Sequence, residues 1–203
     1  GCQPSLATHV RRQIQARTPE GFRLFVATIY GEMAGVHRSP ELAWKAAGSV
    51  IMNRVHTGIW HRYKTTDEII AHTGFDAYAN PDKINWNHVN LHSSFMKHHQ
   101  QFLKAWATLH QQKMNSHLAM NPDERKLLDH MRLTLEDIYY KNKTITTANY
   151  YYSPRGMHGK TPSFLIGIDK PEQYQVKIAG LNEKDITLYD IPSKIERKAG
   201  RER

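Results

Sequence analysis

One cysteine in 203 residues, Cys2, excludes an intrachain disulfide and leaves the redox compartment unreadable. Long hydrophobic runs are missing too: no stretch of about 18 apolar residues exists, so no membrane span is expected. The first twenty residues lack the apolar core of a secretory signal, and an export route is not visible in the chain. Internal repeats and low-complexity blocks are absent. So are Gly-x-Ser-x-Gly and His-Glu-x-x-His, the spacings that would support a serine hydrolase or a zinc protease. Acidic residues are outnumbered, 19 against 28 Lys and Arg, which gives a formal charge of +9. Something acidic therefore suits this chain as a partner: nucleic acid, an anionic membrane surface or the bacterial cell wall.

What is present is a foldable chain. Hydrophobic residues make up 39% and charged residues 23%, which argues against wholesale disorder. Residues 1–19 form a polar, basic N-terminal segment containing Arg11 and Arg12. Thr18, Pro19 and Glu20 are a helix start, and a helix is expected over about 20–33. Ser39-Pro40-Glu41 opens a second, over about 40–56, whose Ala46, Ala47 and Gly48 would let another helix approach closely. A short capped helix is expected within 65–74 and a turn at Asn80-Pro81. Two longer helices follow, over about 92–114 and 121–142. The second carries an apolar stripe of Leu127, Leu128, Met131, Leu135, Ile138 and Tyr139. Beyond 143, β-branched and aromatic residues in partial alternation predict short strands, and 193–203 reads as a charged flexible tail. The fold class expected is mainly α, with a small β element near the C-terminal end.

Within the first helix, Phe25, Ile29 and Glu32 fall on one face, at i, i+4 and i+7. A carboxylate on an apolar face is desolvated, which raises its pKa and keeps it protonated nearer neutral pH. Such a group donates a proton to a leaving oxygen, and glycosidic cleavage is one use of it. The alternative is structural: Glu32 caps a turn or pairs with Arg54. The thirteen histidines, His88, His92, His98 and His99 among them, read as solvated positive charge rather than ligands. No metal and no cofactor are expected.

Four segments in order, "IYGEMAG", "AGSVIMNRV", "FDAY" and "ANYYYSP", resemble the SleB/CwlJ-type cell-wall hydrolase family. The resemblance covers about 22–79 and 144–155. It implies a lysozyme-like fold over 20–192, peptidoglycan as substrate, and Glu32 as the catalytic acid. It further implies cleavage between N-acetylmuramic acid and N-acetylglucosamine, with a lytic transglycosylase outcome that forms 1,6-anhydro ends. One carboxylic acid suffices for that outcome, because the attacking hydroxyl belongs to the substrate. A hydrolytic muramidase would need a second carboxylate. Asp76 is the candidate for it, and is otherwise a substrate-binding residue; Glu41, Asp67 and Glu68 read as helix-start charges. Tyr78, Tyr150, Tyr151 and Tyr152 are candidates to bind sugar; in an extended chain Tyr150 and Tyr152 face one way and Tyr151 the other. Asn53 and Arg54 are expected to close the second helix structurally.

This chain departs from the family's pattern at Ala34, Val36 and Ser153, and about 80–143 has no counterpart in it. That stretch reads as a helical insertion, with a docking or immunity protein as a possible partner. The expected setting is the cell wall, the periplasm or outside the cell. Two rival classes stand beside the enzyme: a non-catalytic wall-binding domain and a nucleic-acid-binding module. The second is disfavoured because the basic residues are dispersed and no phosphate loop is present.

Overall fold

In the computed structural model, residues 17–36, 40–56, 58–89, 97–113 and 118–200 are described. Cys2, Arg11, Arg12, Ser39 and His92 lie outside them. Helix α1 spans Pro19–Glu32, α2 Pro40–His56, α3 Thr66–His72, α4 Lys97–Leu109, α5 Pro122–Lys141 and α6 Ser193–Lys198. Strands β1 (Tyr150–Tyr152), β2 (Gln175–Val176) and β3 (Thr187–Tyr189) form one antiparallel sheet in the order β1-β3-β2. Mainly helical with a little sheet near the C-terminus is therefore the architecture.

The helix starts are written locally. Thr18 Oγ1 accepts the Gly21 N–H at 3.0 Å, and Thr65 Oγ1 accepts that of Glu68 at 3.2 Å. At α5 the Asn121 side chain accepts the Glu124 N–H at 2.8 Å while Glu124 accepts the Asn121 N–H at 3.2 Å, a reciprocal cap. Glu41, Asp67 and Glu68 sit in first turns, as helix-start charges should.

The core is built around α1 and α2. A Cβ at Gly48 would lie 3.0 Å from Phe25 Cζ and 3.3 Å from both Ile29 and Leu135, so the small middle of α2 does admit α1 and α5. The stripe of α5 is buried at Leu128, Met131, Leu135, Ile138 and Tyr139, but Leu127 is 42% exposed. It lies one position off the buried face, where the 3.6-residue period carries it to solvent.

The segment read as a helical insertion, 80–143, contributes to the core: α4 packs along α1 and fully buries Phe102 and Leu103. The tail from 193 is not simply flexible, because Ser193–Lys198 is a helix whose Glu196 is fully buried. The charged composition of "SKIERK" hid one inward-facing acid.

Leu135→Ala should lower stability by about 2–5 kcal/mol, since it opens a cavity where three helices meet; urea unfolding of the two proteins measures this.

Candidate functional site

Glu32 ends α1 where three other segments arrive. Its residue surface is half-buried, but protein encloses the carboxylate. Tyr151 Oη donates to Oε1 at 2.8 Å, and the Ala77 N–H donates to Oε2 at 3.1 Å. Desolvation is the largest influence and pushes the Glu32 pKa up to about 7. The two hydrogen bonds and Arg54 pull it down, and the nearby charge of Asp76 raises it; burial wins. The Tyr151 hydroxyl is itself pushed well above its usual pKa by burial and by Glu32, so it remains a donor.

Gly31 explains how the neighbours come so close. A Cβ there would fall 2.7 Å from Ala77 Cβ and 2.8 Å from the His98 carbonyl. Only glycine beside the acid, opposite alanine in the loop, leaves room for both segments. The Ala77 peptide then serves two sides: its N–H meets Glu32, and its carbonyl lies 3.2 Å from His99 Nδ1. His98 adjoins the same region. Its Nε2 is buried without a hydrogen-bond partner among the described residues, and burial lowers its pKa, with His99 acting the same way and Asp76 opposing. A neutral His98 is the consequence at pH 7. No group of three or more potential metal ligands occurs among the described residues.

Arg54 lies buried behind the acid. Its Nε donates to the Asn149 carbonyl at 2.8 Å, and its Nη1 to the Thr73 carbonyl at 2.7 Å and Thr73 Oγ1 at 3.0 Å. The rings of Trp60, Phe75 and Tyr150 lie 4.6, 4.9 and 4.8 Å from its guanidinium carbon. Asn53 Nδ2 donates to the carbonyls of Thr146 and Ala148, both at 2.8 Å. Both residues are structural, but they do not close α2 itself; they tie it to the chain that enters β1 and, through Arg54, to the end of α3.

The tyrosines divide. Tyr151 faces Glu32, opposite to Tyr150 and Tyr152, which both meet Phe164. Tyr150 is 9% exposed; Phe164 stacks on it at 4.5 Å and Arg54 lies over its ring, so it offers no face to a sugar. Its reading as a substrate contact is corrected to a core role. Tyr152 is half-buried against Phe164 and Tyr189. Tyr78, also half-buried, sets its ring edge-on to Phe102 at 5.8 Å. Asp76 is exposed and acts on Glu32 through its charge.

Sequence reasoning missed the Ala77 amide, His98 and His99. The amide carries no side-chain signal, though the small residues at Gly31 and Ala77 hint at a close approach. His98 and His99 were read as solvated charge; both are half-buried beside the acid, and that reading is corrected.

Tyr151→Phe removes a hydrogen bond that favours the carboxylate, so the Glu32 pKa should rise beyond about 7. Carbon-13 NMR titration of that carboxyl group reads the change. Stability gives an independent check. The folded pKa lies above the ordinary 4.5, so folding favours the protonated form. The favourable contribution is complete below about pH 4.5 and is lost as pH rises through about 7. Glu32→Gln should therefore be more stable than the wild type at pH 8 by about 1–3 kcal/mol, and within about 1 kcal/mol of it at pH 5. Thermal unfolding at the two pH values tests this.

No protein-family model, curated protein or solved structure matches this chain, so its functional reading rests on the chemistry around Glu32.

Proposed function

We propose that the protein cuts the glycan strands of peptidoglycan between N-acetylmuramic acid and N-acetylglucosamine, with Glu32 as general acid and then general base. The observation that carries this reading is an enclosed carboxyl group with a pKa near 7, held by two hydrogen-bond donors. The four segments that resemble SleB/CwlJ-type enzymes add to it. Two of them meet at the acid: "FDAY" supplies the Ala77 amide and "ANYYYSP" the Tyr151 hydroxyl.

In this reading, protonated Glu32 gives its proton to the glycosidic oxygen as the bond from the muramic anomeric carbon breaks. Tyr151 and Ala77 then stabilise the carboxylate left behind. The muramic 6-hydroxyl attacks the anomeric carbon, its proton passes to Glu32, and the acid is restored. The product is a 1,6-anhydro end. The substrate brings its own nucleophile, so one acid completes the cycle. The positive charge of the chain aids binding to an anionic wall.

One observation favours a hydrolytic variant. Asp76 is close enough to raise the Glu32 pKa by its charge, and it is exposed to solvent, where it could activate water.

Purified sacculi treated with wild type and Glu32→Gln should separate these readings by mass spectrometry. Anhydro-muramic ends, lost in the variant, are the expected result; reducing ends, also lost, would move the nucleophile to water and the base to Asp76. Release that survives the substitution would remove Glu32 from the chemistry, and no release from either protein would favour a binding domain. The wild-type kcat/KM should fall about tenfold per pH unit above about 7, as the acid form is titrated away.

A further inference from the structure

Helices α4 and α5 both pack against α1 and leave a groove between the C-terminal end of α4 and the first half of α5. Its volume is about 590 Å³, within the range of ligand sites. Ala107 and Leu128 are buried residues of its lining. Among the described residues, Lys113, Arg125 and Arg132 bring three positive charges to it, against one acid, Asp129. Asp129 pairs with Arg132 at 3.6 Å. Lys113 and Arg125 have no acid within ion-pair distance among the described residues. Leu109 adds a further apolar side chain, and Thr108, Gln111 and Gln112 add hydroxyl and amide groups.

We propose that this groove is a second, non-catalytic glycan site that takes the carboxylates of peptidoglycan stem peptides; the inference rests on the function proposed above. Charge complementarity is the first ground: unneutralised cations beside a buried apolar floor suit an anionic group carried on a partly apolar chain. Charge spacing is the second. Arg125 and Arg132 are seven residues apart on one face of α5, about 10 Å along its axis. That is sparse beside a nucleic acid strand, which carries a charge about every 3.4 Å in a duplex. Among the described residues its lining also holds no aromatic side chain, whereas stacking on aromatic rings is how single strands are commonly held. Amides and hydroxyls instead match the acetamido and hydroxyl groups of amino sugars.

The position fits a strand that extends beyond the cut. His98 adjoins the acid at one end of α4, and Ala107 lies nine residues further, about 13 Å along the helix. One helix thus borders both sites.

Co-sedimentation of the full chain with purified sacculi tests the proposal, comparing wild type with Arg125→Glu/Arg132→Glu and with the milder Arg125→Gln/Arg132→Gln. Both side chains are exposed, and circular dichroism checks that the variants fold. Charge reversal should weaken binding at least tenfold and neutralisation less. Cleavage of a short soluble glycan fragment should stay within twofold of wild type. Sacculi whose carboxylates have been amidated should bind the wild type as weakly as untreated sacculi bind the charge-reversed protein. Unchanged binding by the variants would overturn the proposal. So would equal binding of the wild type to native and amidated sacculi. Loss of single-stranded DNA binding with sacculus binding intact would make the groove a nucleic-acid site and overturn it as well. Carboxylate-dependent binding without any glycan cleavage would sink the role given to Glu32 and leave the groove standing.

Discussion

A buried guanidinium holds the candidate site together. Arg54 bonds the Thr73 carbonyl at the end of α3 and the Asn149 carbonyl just before β1, and aromatic rings from three segments surround it. The first contact anchors the chain that runs on to Ala77, and the second anchors the strand that carries Tyr151. Both donors to Glu32 are thus placed by one cation on α2. A buried charge is tolerated only when its hydrogen bonds are met, so losing either anchor would leave a strongly unfavourable group inside. Glu196 from α6 acts on Arg54 from the far end of the sequence, which brings the C-terminal helix into the same arrangement.

Opposing effects set the acid's behaviour. Two donors and a nearby arginine favour the carboxylate, yet desolvation outweighs them and the pKa ends near 7. A fully solvated glutamate with the same donors would be a poor proton donor at neutral pH; a fully buried one without them would not release its proton. Glu32, enclosed but supplied with two donors, lies between these limits.

Much of the helical architecture was legible in the sequence, because caps and 3.6-residue spacing are local signals: Thr18, Thr65 and Asn121 mark starts that the structure keeps. Glu32 was legible for the same reason, as an acid in phase with Phe25 and Ile29. The alternation of Tyr150, Tyr151 and Tyr152 was legible as well, but not which side met the acid. That depends on the pairing of β1 with β3, made across nearly forty residues, and on Arg54 covering Tyr150. Ala77 and His99 could not be read at all, since one acts through its backbone and the other through a contact to it.

The donors to Glu32 are separated from it by 45 and 119 residues. Contacts over such distances close late, because the chain entropy of large loops must be overcome first. During synthesis, α1 leaves the ribosome with an ordinary, solvated glutamate. Its altered acidity comes only when β1 has been made and has docked. An unfinished or clipped chain that ends before Tyr151 therefore contains the acid residue without the environment that shifts its pKa.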